Sequence, residues 1–139
     1  MDMQHTSYGM RVEVPLGYDQ AVEKARDELS KEGFGVLTEI DVKATMKEKL
    51  DIDFRPYSIL GACNPPIAHR VLSHDATAGL LLPCNITVES ESDHSSIVRI
   101  ANPEAVFSVG TLEQDPELSS AAQEARQKLE RVAEALLAS

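Results

Sequence analysis

The sequence predicts an α+β domain: about five strands, a helix after the first of them and a long helix at the end of the chain. Three observations carry this. Tyr8, Met10, Val12 and Val14 alternate with Gly9, Arg11 and Glu13, the period of two that lays one face of a strand on a core. Leu118, Ala122, Ala125, Leu129, Val132 and Leu136 recur at alternating intervals of four and three, the spacing of a buried helical stripe. Between these segments lie two apolar runs bounded by Gly and Pro, Ile59 to Pro65 and Gly79 to Asn85. Both read as buried strands, and each ends in Cys-Asn beside a proline.

Taken in order, the first strand stops at Pro15 and Gly17. A helix follows, with Gly17 as N-cap, Gln20 three residues on, and Tyr18, Val22, Ala25 and Leu29 along one stripe. Gly33 sits where a left-handed residue ends a helix, and Phe34 beyond it can fold back on the last turn. Phe34, Val36 and Ile40 share a face of a second strand that runs to Asp41. Asp41 is a good N-cap for a short helix with Val42, Met46 and Leu50 at a spacing of four, expected to cover part of the sheet.

The third strand, Tyr57 to Cys63, is almost continuously apolar, which suggests burial on both faces. Asn64 before Pro65 combines an extended residue, an N-cap and a proline at the first helical position, so a third helix begins there with Ile67, Val71 and Leu72 on its apolar face. Ala78 to Glu89 reads as a fourth strand. Pro83 cannot donate to a ladder, so it marks an edge, a bulge or a bend. Glu89 to Asp93 is a polar turn, and Ser95 to Ile100 pairs back as a hairpin. Asn102-Pro103-Glu104 opens a short helical segment through Phe107, and Asp115-Pro116-Glu117 caps the long last helix.

At 139 residues, with 42% hydrophobic and 26% charged, the chain reads as one domain spanning 1–139. Its net charge of −10 repels phosphate backbones and anionic lipid, which argues against nucleic-acid and membrane-surface roles. No apolar run reaches the ~20 residues of a membrane helix. The polar start Met1-Asp2-Met3-Gln4-His5 lacks the regions of a signal peptide, so a cytoplasmic location is expected. There the two cysteines are expected as free thiols rather than a structural disulfide.

The stretches Gly33-Phe34-Gly35-Val36-Leu37-Thr38-Glu39-Ile40-Asp41, Leu60-Gly61-Ala62-Cys63-Asn64-Pro65 and Gly79-Leu80-Leu81-Leu82-Pro83-Cys84-Asn85 occur in the order of the family called domain of unknown function 302, which the chain resembles from about Arg11 to the last helix. The resemblance implies a two-layer, mainly antiparallel α+β fold like that of the TATA-binding protein, and members that tend to be dimers. It supplies no reaction, substrate or catalytic residue. The chain departs from the family pattern at Asn102-Pro103, where Asp-Pro is usual, and so lacks a carboxylate there.

No stretch carries a motif specific to one reaction. The repeated Cys-Asn ending makes Cys63, Asn64, Cys84 and Asn85 the candidate ligand-binding residues, expected together at one end of the sheet. Cys63 just before a helix N-terminus is placed where backbone N–H groups favour a thiolate. The competing reading is inert packing, since cysteine behaves as a small hydrophobe, and Asn64 has the helix cap as an alternative role. His5, His69, His74 and His94 show no spacing of a closed metal site with the cysteines, so neither metal nor cofactor is expected. Arg70 and His74 lie four apart and could meet an anion, although a solvated helix face explains them as well.

The sequence therefore supports first a homodimeric module that binds a small molecule or a partner. The alternatives are a thiol-dependent enzyme or redox protein, with Cys63 as nucleophile and Cys84 as resolving thiol, and a purely structural interaction module. The dimer expectation rests on the apolar stripe of the last helix and on an exposed sheet edge.

Overall fold

The computed structural model describes residues 3–139, so Met1 and Asp2 of the polar start lie outside the described residues. Six strands, β1 (Met3–His5), β2 (Gly9–Val14), β3 (Gly35–Asp41), β4 (Tyr57–Cys63), β5 (Cys84–Ser92) and β6 (Ser95–Ala101), form one sheet. Their order is β1-β2-β6-β5-β4-β3 and every neighbouring pair is antiparallel. The helices are α1 (Tyr18–Lys31), α2 (Val42–Leu50), α3 (Pro65–His74), α4 (Pro103–Phe107) and α5 (Pro116–Leu137). The α+β class, the helix after the strand Gly9–Val14 and the long last helix are those expected. The sixth strand, Met3–His5, is too short for a periodic signal and pairs on the outer edge of β2.

One face of the sheet carries the core. Val12, Val14, Leu60, Ile86, Val88, Val98 and Ile100 meet Ala25 and Leu29 of α1 and the α5 stripe Leu118, Leu129, Val132 and Leu136, all buried. Each Leu or Val on that stripe contributes about 1.5–3 kcal/mol by leaving water, and all of them do so within one chain. The stripe thus needs no second subunit, and of the two grounds for a dimer the exposed sheet edge is the one that remains.

The helix ends follow the expected chemistry. Phe34 N–H donates to the Leu29 carbonyl at 2.9 Å and Gly33 N–H to Ser30 at 3.0 Å, with Gly33 at φ 83°, a Schellman ending that favours glycine. Gly17 caps α1 with no side-chain bond, since it has none to give. Asp41, Asn64, Asn102 and Asp115 each accept from a backbone N–H of the first turn beyond them.

Four expectations are corrected. Ala78 to Leu82 is not strand: Ala76–Leu81 winds as a 3-10 turn and β5 starts only at Cys84, because Pro83 cannot enter the ladder and stands at the bend before it. Burial of β4 is one-sided. Ser58, Leu60 and Ala62 are buried on the helix face, while Tyr57, Ile59 and Cys63 at the alternate positions are only half-buried. A bulge between Val36 and Thr38 breaks the shared face of β3, leaving Ile40 49% exposed where Phe34 is buried. Finally, α2 forms as expected but buries none of its residues, because its apolar positions are too few to make a continuous stripe.

The face opposite the helices satisfies its own charges. Glu89 is buried there between Arg55 and Arg99, the latter at 2.6 Å. Burial pushes its carboxyl up, but the two guanidiniums more than offset this and hold it below the usual carboxylate range.

Candidate functional site

A cleft of about 640 Å³ opens at the end of the sheet where β4 stops and β5 starts. Its walls come from that sheet end, α3, the 3-10 turn, α4 and the first half of α5, and Cys63, Asn64, Cys84 and Asn85 all line it. The register explains why they meet. Ala62 stands opposite Cys84 and Gly61 opposite Asn85, so the two Cys-Asn endings lie on adjacent antiparallel strands. Their 21-residue separation is spent on α3 and the turn that roofs the cleft.

Glycine makes the roof possible. A Cβ on Gly61 would stand 2.3 Å from Thr38 Oγ1 and 2.8 Å from Pro83 Cγ. Pro83 and Thr38 therefore close over a backbone that only glycine provides. Thr38, Gly61 and Asn85 form one cross-strand row, which places a hydroxyl and an amide on either side of that glycine. Thr38 was not singled out by sequence reasoning, since the pairing of an edge strand with β4 leaves no local pattern.

The four candidate residues differ in what they can offer. Asn64 is committed to the fold: its Oδ1 accepts from Ile67 N–H at 3.3 Å and its Nδ2 donates to the Glu32 carbonyl at 3.3 Å, tying the start of α3 to the end of α1. Gly33 leaves room for this, since a Cβ there would approach Asn64 Nδ2 to 3.0 Å. Asn85 is exposed and forms no side-chain hydrogen bond among the described residues. Both cysteines are free and partly buried. Burial pushes the Cys84 thiol up to about 11, and the neighbouring Cys63 thiol adds to the effect. Cys84 is therefore a neutral thiol at neutral pH and a poor resolving nucleophile.

The rest of the lining is apolar. Phe34, Ile67, Val71, Phe107, Ala122 and Ala125 form the buried floor, whereas Leu37 is 70% exposed, Leu72 41% and Leu80 84% around the mouth. None of the described residues lining the cleft is charged, and none is histidine. Arg70 and His74 do not face it. Arg70 pairs with Glu117 at 2.9 Å and Glu124 at 3.3 Å, and His74 Nε2 with Asp115 at 2.7 Å, so they fasten α3 to the start of α5 instead of waiting for an anion. Among the described residues no three His, Cys, Asp or Glu side chains are grouped to hold a metal ion, and no helix is long and apolar enough to cross a membrane.

The family model described as "Domain of unknown function DUF302" matches residues 10–136. The crystal structure of an uncharacterized conserved protein DUF302 from Bacillus stearothermophilus is similar, with 29% identity and a TM-score of 0.81 over 93% of this chain and 98% of that one. No curated protein matches the chain.

Proposed function

The chain belongs to the DUF302 family, whose name assigns no reaction, and from the cleft we propose that it is a small-ligand-binding module of the cytoplasm that works as a homodimer. One observation carries the binding reading: an open cleft of about 640 Å³ whose mouth keeps three leucines in water. That volume is typical of small-molecule sites, and apolar surface left exposed around a concavity is what a ligand would cover. Cys63, Cys84 and Asn85 line it with weakly polar groups, and Asn64 holds one wall in place. Two free thiols suit a reducing compartment.

The thiol-enzyme alternative has less support. Turnover at Cys63 would need a base or an acid within reach, and neither His, Asp, Glu, Lys nor Arg lines the cleft among the described residues.

Titration with N-phenylnaphthylamine, an uncharged apolar fluorophore, tests the reading. Saturable binding at one site per chain is expected, together with slower alkylation of Cys63 by iodoacetamide when the dye is bound. Fluorescence that never saturates, or binding that leaves Cys63 as reactive as before, would remove the cleft as the site.

A further inference from the structure

From the character of the lining we infer that the ligand is an uncharged, largely apolar molecule. This names a ligand class for the cleft proposed above and rests on that reading.

The first support is the absence of charge where charge is common. Charged residues make up 26% of the chain, yet none of the described residues around the cleft is Asp, Glu, Lys, Arg or His. The only titratable groups there are thiols, and burial keeps Cys84 protonated. An ionised ligand group entering this cleft would give up water without gaining a counter-ion, and burying a charge unpaired is costly. The net charge of −10 opposes anions further. A cation drawn in by that field would still find no carboxylate, because Glu117, Glu124 and Asp115 are engaged with Arg70 and His74 outside the lining.

The second support is the placement of the few polar groups. Asn64 spends its amide on the fold, so it has little left for a ligand. Thr38 and Asn85 flank Gly61 in a row that alternates with the helix-facing Leu60 and Ala62, and the Pro83 ring stands over that glycine between them, so these two polar groups stay at the exposed rim. Everything deeper, from Val71 to Phe107 and Ala125, offers only apolar contact.

Two near-isosteric dyes decide the matter: N-phenylnaphthylamine, which is neutral, and anilinonaphthalenesulfonate, which carries one fixed negative charge. The neutral dye should bind the wild-type chain on the order of 100-fold more tightly than the sulfonate. Leu72→Arg, and separately Leu80→Arg at the more exposed position, place a cation at the mouth and should raise sulfonate affinity relative to that of the neutral dye at least about tenfold. Two positions are used so that a fold defect in one, read by circular dichroism, leaves the other to decide. Equal affinities of the two dyes, each protecting Cys63 from alkylation, would overturn the uncharged class and leave the binding reading standing. An affinity ratio unmoved by either arginine would overturn it as well. If neither dye saturates, the binding reading and the class fall together.

Discussion

Cys84 shows how a residue's chemistry follows from where the ladder puts it. Paired with Ala62 on the helix side of the sheet end, its thiol has little water with which to stabilise a thiolate. Its pKa in the fold, about 11, lies above the 9.0 of a free thiol, so the proton is held more tightly in the folded state. A raised pKa contributes stability that is complete below the unfolded value and is lost as pH rises through the folded one. Unfolding free energy should therefore fall between about pH 9 and pH 11, by on the order of 2–3 kcal/mol. Cys84→Ala should flatten that alkaline limb, at the cost of a small constant loss of packing, and denaturant melts across this range would show it. A wild-type limb as flat as that of the variant would mean that the thiol is better hydrated than its burial indicates. Asn64 makes the opposite point. It was legible from sequence both as a cap and as a ligand residue, and the structure uses both ends of its amide for the fold. Only the long-range partner, the Glu32 carbonyl, could have separated the two readings, and no local pattern records it.

At the scale of elements, periodic segments were legible and their covering was not. The alternation of Tyr8 to Val14 and the stripe of α5 announce β2 and the last helix because one face of each is fully buried. The run Ala78 to Glu89 misleads, since an apolar segment reads as strand whether it pairs in a sheet or winds as a 3-10 turn over a cleft. Pro83 was the available signal: it ends one arrangement and the next residue begins the other. The roof this makes rests on Gly61, which gives a test of the element. Gly61→Ala puts a methyl group against Thr38 and Pro83. The ring has to move, and overpacking of this kind typically costs about 1–3 kcal/mol. The loss should appear in chemical denaturation, and hydrogen exchange should speed up first at residues 79–84. A variant as stable as the parent, with unchanged exchange there, would show that the turn is not held by its fit over β4.

For the whole molecule, the place where the second chain of the proposed dimer would dock follows from what the first chain has already covered. The α5 stripe is satisfied internally, with Leu118, Leu129 and Leu136 fully buried, so that helix cannot drive assembly. Of the two sheet edges, β1 is three residues long, whereas β3 is seven, almost wholly exposed, and carries neither proline nor lysine to discourage pairing. Antiparallel pairing of two β3 strands about Thr38 would set Ile40 opposite Val36 and Glu39 opposite Leu37, with no like charges directly facing. It would also remove Ile40 and Leu37, 49% and 70% exposed in the single chain, from water, and would bring two cleft mouths to the interface. Sedimentation equilibrium at micromolar concentration should then return twice the 15.2 kDa chain mass. Ile40→Lys, which puts like charges near the two-fold axis without touching the cleft lining, should return the single mass with the fold intact. A wild-type chain that sediments at 15.2 kDa would show that the edge stays open and that each cleft functions within its own subunit.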